Sequence, residues 1–378
     1  GLFVKHSITN LNRRVKVYFL MQLGIIGLPQ SGKTTLFNAL SRGTVPTGMG
    51  SGRIEVHTGV VDVPDPRVDQ LSAMFNPKKT IYAKVTYADI AGLDGSSSTD
   101  KGISGELLNH LQKMDGFILV VRAFENPMVM HPRETVDPLR DLGMMESEFL
   151  LNDLIAVDRK LTRLADEDRK GGAGRDRALV KREIVLFEKL NELLAEEKPL
   201  RECGLTEDEI AMVSGYNLLT LKPVLVVFNL HEGQDPPVFP EATANSSYVA
   251  LQAKLEADIA QLDEEEAAMF LEEYGIEEPS LNRMIRLSYD LLGLQSFFTV
   301  GEDEVRAWTV KEGATAPEAA GVIHSDLEKG FIRAETINNQ VLLECGSMAE
   351  ARNQGKLRLE GKNYIVQEGD ILHIRFNI

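Results

Sequence analysis

The sequence predicts an α/β fold: a mostly parallel sheet, interrupted by a helical hairpin and followed by a small β-rich module. Three observations carry this. A glycine-rich loop, "GLPQSGKTT", lies between the apolar run "QLGII" and the helical pattern "TTLFNALSRG". "DGFILVVRAF" and "KPVLVVFNL" are unbroken apolar runs, the pattern of parallel strands covered on both faces. Between those runs, "MESEFLLNDLIAVDRKLTRLADED" and "RALVKREIVLFEKLNELLAEE" place apolar residues every three or four positions, the period of a helix with one buried face.

The elements follow in chain order. Residues 1–20 carry basic residues, but their apolar part runs straight into "MQLGII" without a separate small-residue cleavage site. They are expected to be an upstream extension rather than a signal peptide, with Met21 as a natural start. Residues 22–28 read as a buried strand. In the next segment Leu36, Phe37 and Leu40 recur at helical spacing and Gly43 suits the helix end. "TVPTGMGSGR" reads as a mobile loop. "IEVHTGVVDVP" and "TIYAKVTYADIAG" are expected to be one strand each, and "SSYVALQA" a further strand after "KPVLVVFNL". In the insertion 140–221, Phe149, Leu150, Leu154, Val157, Leu161 and Leu164 form one stripe, and Val180, Ile184, Phe187, Leu190 and Leu194 another. The tip "RKGGAGRDR" joins them, so an antiparallel coiled-coil arm is expected, about 30 Å long for ~20 residues per helix. Residues 296–378 alternate like half-buried strands, with a short helix at "TAPEAAGVIH" carrying Pro317 in its first turn. "NYIVQEGDILHIRFNI" is expected to pair two strands across Glu368-Gly369-Asp370.

Composition narrows the function classes. The 378 residues are 43% hydrophobic and 26% charged, a globular composition large enough to need no disulfides or structural metal. Cys203 and Cys345 lie far apart, without zinc spacing, and read as free thiols of a reducing cytosol. A formal net charge of −16 argues against a basic coat for nucleic acid, and no DNA specificity is expected. No window approaches the ~20 apolar residues of a membrane span, so no membrane partner is expected.

Gly27-x-x-x-x-Gly32-Lys33-Thr34 fits the phosphate-loop pattern at every fixed position, with a strand before it and a helix after it. Its glycines let backbone N–H groups converge on phosphate oxygens. Lys33 is expected to reach the terminal phosphates, and the Thr34 hydroxyl to bind Mg²⁺. Asp89-Ile-Ala-Gly92 ends a strand ~55 residues after the loop, the place for a Mg²⁺-holding carboxylate and a γ-phosphate-sensing amide. Many switch GTPases place a Gln after that glycine to orient water; here it is Leu93, which makes no such hydrogen bond. At the end of "KPVLVVFNL", where GTPases place Asn-Lys-x-Asp, the chain has Asn229-Leu230-His231-Glu232. The guanine-clamping Asp is replaced by a longer Glu, Leu230 offers an apolar face, and Asn229 suits the adenine edge, so the reading leans towards ATP over GTP. His231 and Glu232 sit beside the base, a place for recognition rather than catalysis. The loop "LQAKLE" is expected to bring the Ala253 backbone near the purine.

These elements together resemble the YchF/Obg-like ATPase family. The resemblance rests on "GLPQSGKTTLFNAL", "GVVDVPDPRVDQL", "DIAGL", "VVRAFENP", "NLHE" and "AKLEADIAQL", and most densely on "VRAWTVKEGATAPEAAGVIHSDLEKGFIRAETI" and "GKNYIVQEGDILHIRFNI". It implies a P-loop NTPase G domain over 21–139 and 222–295, an inserted helical hairpin over 140–221 and a C-terminal β-grasp (TGS) domain over 296–378. It implies Mg²⁺-dependent ATP hydrolysis and association with the ribosome or its RNA, in the cytoplasm. The phosphate segment carries over to Gln30, Ser31, Gly32, Lys33, Thr34 and Thr35, Mg²⁺ ligation to Thr34, and base contact to Asn229, Leu230 and Glu232, with Phe124 flanking the base. The chain departs from the family in several places. The loop reads Gln-Ser-Gly-Lys-Thr-Thr where most members read Asn-Val-Gly-Lys-Ser-Thr. Arg53 precedes "IEVH" where the family's first switch holds a Mg²⁺-binding Thr; Thr47, Ser51 and Thr58 are alternatives, none preferred. Gly52 stands where a regulatory thiol would precede that position, and the second switch is short. Three rivals stay open from the residues alone: a GTPase switch of the same fold, a small-molecule or nucleotide kinase, and a nucleotide-binding module with negligible turnover.

Overall fold

The computed structural model describes residues 21–43, 45, 56–91, 103, 105–172 and 174–377. In chain order the elements are β1 (Gln22–Ile26), α1 (Lys33–Ser41), β2 (Val56–Asp62), α2 (Pro66–Phe75), β3 (Lys79–Ile81), β4 (Lys84–Ile90), α3 (Gly105–Lys113), β5 (Gly116–Arg122), α4 (Pro138–Arg169) and α5 (Arg177–Ala195). There follow α6 (Glu207–Val213), β6 (Val224–Asn229), β7 (Ser246–Leu251), α7 (Ala253–Ala260), α8 (Glu264–Glu273) and α9 (Ser280–Leu291). The chain ends with β8 (Leu294–Thr299), β9 (Glu304–Lys311), α10 (Ala316–Ile323), α11 (Ser325–Lys329), β10 (Phe331–Asn338), α12 (Asn339–Cys345), α13 (Met348–Asn353), β11 (Arg358–Glu360) and β12 (Asp370–Phe376).

Two compact units divide the chain. One comprises Met21–Pro64 and Lys84–Gly293; the other comprises Asp65–Ala83 and the chain from Leu294 onward. The first is built on a sheet of order β2-β4-β1-β5-β6-β7, with β2 antiparallel to β4 and the other pairs parallel. β5 and β6 are buried along their whole length, which is why their sequences are unbroken apolar runs. Strand order reverses at β1, which lies between β4 and β5. In open α/β sheets that reversal opens a ligand crevice at the carboxyl ends of the strands.

The insertion is a helical hairpin. α4 starts at Pro138, because the Asp137 carboxylate caps it by accepting from the Arg140 N–H (3.1 Å) and Pro138 needs no donor in the first turn. α4 and α5 bury Val157, Leu164, Val180, Phe187, Leu190 and Leu194 against one another. The first half of α4 does something else. Phe149 leaves the hairpin seam and packs on the sheet, its ring centroid 4.9 Å from that of Phe117. Buried Asp153 accepts from the Leu219 N–H (3.0 Å), the Thr220 N–H (2.7 Å) and the Thr220 hydroxyl (2.7 Å), tying α4 to the segment that enters β6.

The second unit carries a sheet of order β11-β10-β12-β8-β9-β3. Phe297, Trp308, Val310, Phe331, Ala334 and Leu372 form its core with Ala316, Ala319 and Ala320 of α10. Two strand expectations are corrected here. "TIYAKVTYADIAG" is two strands: β3 pairs in parallel with β9 (Thr80↔Val305), and only β4 joins the first sheet. The segment 65–83 therefore sits with the C-terminal unit, whereas the sequence reading placed it within 21–139. The hairpin across Glu368-Gly369-Asp370 does not form either. β12 pairs antiparallel with β10 and in parallel with β8 (Ile371↔Phe298), while Ile365 makes an isolated bridge to Thr315. Alternation marks a strand but not its partner, and both errors are of that kind. Among the described residues no helix is long and apolar enough to cross a membrane.

Candidate nucleotide site

The loop between β1 and α1 has its shape forced at two glycines. A Cβ at Gly27 would lie 2.5 Å from Ser31 Oγ and 2.6 Å from the Val120 carbonyl. Gly32 has φ +93°, and a Cβ there would overlap the Asn229 side-chain amide. Gly32 is also the N-cap of α1. No side chain caps that helix, and its first turn holds no acidic residue. The free N–H groups and the positive end of the helix dipole thus face the loop, the arrangement that receives an anion.

Two chemical groups converge beside it. The Thr34 hydroxyl donates to Asp89 Oδ2 at 2.8 Å, bringing the loop to the end of β4. Asp89 Oδ1 and Ser31 Oγ are buried and have no hydrogen-bond partner among the described residues. Burial raises the Asp89 carboxyl above its ordinary range, opposed by the Thr34 hydroxyl and by the charges of Lys33 and His57. Burial likewise presses the Lys33 ammonium down, partly offset by Asp89. A half-buried cation and a buried carboxylate that compensate each other only in part form a site suited to a polyphosphate and a divalent cation. One carboxylate oxygen and one hydroxyl suit Mg²⁺, which takes few protein ligands and completes its shell with phosphate and water. Among the described residues no group of three or more His, Cys, Asp or Glu side chains is placed to hold a metal ion.

The residues expected to meet the base lie at three strand exits. β5 and β6 are adjacent, with Arg122 opposite Asn229, so the exit that carries Phe124 lies beside the exit that carries Leu230. Phe124 is half-buried, and the Arg122 guanidinium lies over its ring at 4.6 Å. Leu230 packs against the sheet core, and its N–H donates to the Leu251 carbonyl (2.8 Å). Glu232 is exposed. Asn229 is buried: its amide donates to the Ser31 carbonyl (3.0 Å), and its Oδ1 accepts from the Ala253 N–H (3.0 Å). That side chain joins the phosphate loop to the start of α7, a role the sequence reading did not give it. Gln234 carries no sequence signal, an isolated Gln in Gly233-Gln234-Asp235, yet it bonds to His231 and Ala123 across the turn. Gly92, Leu93, Arg53, Gly52, Thr47 and Ser51 lie outside the described residues. Thr58 lies in β2 opposite Ala88 of β4, next to the register pair His57–Asp89.

The geometry has counterparts among known proteins. A family model described as "50S ribosome-binding GTPase" matches residues 22–157, and one named YchF-GTPase_C, described as a protein of unknown function, matches residues 294–377. The "Ribosome-binding ATPase YchF" of Bacillus subtilis is 42% identical over 366 residues, covering 94% of this chain and 99% of that protein. The protein of the same name from Escherichia coli O157:H7 is 40% identical over 363 residues, with the same coverage. The solved structure of the Schizosaccharomyces pombe YchF GTPase superposes with a TM-score of 0.82 at 32% identity, covering 94% of this chain and 97% of that one.

Proposed function

We propose that this chain, which belongs to the YchF family, binds ATP with Mg²⁺, hydrolyses it slowly and uses the cycle as a conformational switch at the ribosome in the cytoplasm. The observation that carries the reading is the meeting of Lys33, Thr34 and Asp89 at the uncapped start of α1. Lys33 balances the charge of the terminal phosphates, and the α1 N–H groups and the Gly92 amide bind their oxygens. Thr34 and Asp89 are the residues that would hold Mg²⁺, which when bound neutralises phosphate charge. Leu93 has no group to orient water, which is why turnover is expected to be slow.

ATP is favoured over GTP because Glu232, one methylene longer than the guanine-reading Asp, stands in an exposed turn beside apolar Leu230. A GTPase of the same fold is the second reading. It is favoured by the GTPase description of one matching family model and by the fission-yeast relative, which is named a GTPase. The titration of wild-type protein with ATP and GTP separates them: tighter GTP binding refutes the base assignment. Phosphate release without an acceptor, abolished by Lys33→Ala, tests hydrolysis. The ribosomal assignment rests on the relatives' names, and it fails if ATP-loaded protein does not co-sediment with ribosomes at low salt.

A further inference from the structure

We infer that Gln234 is a positioning residue that sets purine selectivity, by latching the base-facing turn to the exit of β5. The inference rests on the purine site proposed above. Residues 231–234 are exposed, so packing does not hold the turn in place. Hydrogen bonds do. Gln234 Oε1 accepts from the His231 N–H (3.0 Å), the Gln234 N–H donates to the His231 carbonyl (3.2 Å), and Gly233 at φ +73° closes the turn between them. Gln234 Nε2 then reaches out of the turn and donates to the Ala123 carbonyl. The Ala123 N–H in turn donates to the Asn229 carbonyl (2.9 Å). Ala123 is thus held from both sides by the β6 exit, once through backbone and once through Gln234.

The next residue is Phe124, and its own position is fixed by Arg122. That guanidinium donates to the Phe124 carbonyl (3.0 Å) and the Val129 carbonyl (2.8 Å) while lying over the Phe124 ring. Phe124 on one strand exit and Leu230 with Glu232 on the other are therefore two walls whose spacing Gln234 sets. A planar purine discriminated by its edge needs that spacing; a triphosphate held by the β1–α1 loop does not. The bonds of Gln234 go to His231 and Ala123, away from the β1–α1 loop and the Thr34–Asp89 pair, so its effect should fall on the base alone.

The test compares wild type, Gln234→Ala and Gln234→Glu for binding of ATP, GTP and inorganic tripolyphosphate, with KM and kcat for ATP. Gln234→Ala removes the side-chain bonds to His231 and Ala123 and should weaken ATP binding roughly 3–30-fold. Gln234→Glu keeps an acceptor for His231 but sets a carboxylate against the Ala123 carbonyl, so it should be no better than Ala. In both variants KM should rise, kcat should stay within about twofold, the ATP-to-GTP ratio should fall towards one, and tripolyphosphate should bind as in wild type. Unchanged ATP affinity and selectivity in Gln234→Ala would overturn the inference, as would a parallel loss of tripolyphosphate binding or full rescue by Glu. A wild type that prefers GTP would instead refute the ATP reading. The latch would then be supported by a Gln234→Ala loss on GTP and overturned by its absence.

Discussion

A double-mutant cycle at Gly32 and Asn229 tests how the phosphate loop is held. Gly32→Ala does two things. It puts an L side chain at φ +93°, which costs about 1–2 kcal/mol. It also drives a methyl into the Asn229 amide, breaking the bonds to the Ser31 carbonyl and the Ala253 N–H. Leaving those buried groups unpaired costs about 2–4 kcal/mol, so the single variant should lose about 3–6 kcal/mol. Asn229→Ala alone loses the same two bonds, again about 2–4 kcal/mol. In the double variant the clash is gone, and only the backbone strain is added to the Asn229 loss. The two effects should therefore fall short of additivity by about 2–4 kcal/mol, well beyond the ~0.5 kcal/mol scatter of independent sites. The assay is hydrogen exchange of the β1, β5 and β6 amides, which reports opening of the nucleotide unit. Fluorescence of Trp308, the single tryptophan, reports the other unit. Additive effects would show that Asn229 does not hold the loop through Gly32 and would refute the reasoning.

Lys222 donates to the carbonyls of Leu111 (3.0 Å), Gln112 (2.7 Å) and Met114 at the end of α3, and burial lowers its pKa to about 8, opposed by Asp115 and Asp153. The unfolded chain keeps that proton to near 10.5, so the Lys222 contribution to unfolding free energy should rise with pH between about 8 and 10.5; Lys222→Met should abolish that rise, measured by unfolding at pH 7.5, 9 and 10. Asp153→Ala leaves the Leu219 and Thr220 N–H groups without their acceptor and should cost about 3 kcal/mol or more, read as lost exchange protection at 218–221. In the C-terminal unit Asp370 Oδ2 accepts from the Gln367 N–H (2.9 Å) and the Tyr364 hydroxyl (2.6 Å); Asp370→Ala should cost about 2–3 kcal/mol, seen as a lower urea midpoint of Trp308 fluorescence.

The shape of the β1–α1 loop, the proposed phosphate end of the site, was legible for a geometric reason. Its donors are the consecutive backbone of one loop, so the spacing of Gly27, Gly32, Lys33 and Thr34 is itself the geometry, and a Cβ at either glycine has nowhere to go. Asp89 lies on a different strand yet could be placed, because its strand lies next to β1 and both end at the same level. The same held for β5 and β6, whose burial on both faces leaves an unbroken apolar run. What sequence pattern does not carry is the identity of a partner. β3 looked continuous with β4 but pairs with β9, and β12 alternates the same way whether it pairs with the preceding segment or with β10. The proposed base end of the site is made largely of such partnerships. Phe124, Asn229, Gln234 and Ala253 come from three strand exits; Asn229, Gln234 and Ala253 each bond to an atom of another exit, while Phe124 is held by Arg122 of its own strand. Asn229 shows the consequence. From its position it reads as a base contact, yet both ends of its amide already serve the loop and α7. If those bonds persist in the nucleotide complex, Asn229 scaffolds the site, and selection between purines must fall to the exposed turn of Leu230 and Glu232 that Gln234 holds. The Gln234 variants and the Gly32–Asn229 cycle therefore bear on separate halves of one site: a loss of selectivity in the first, with the phosphate affinity intact, is the result that two independently held halves require.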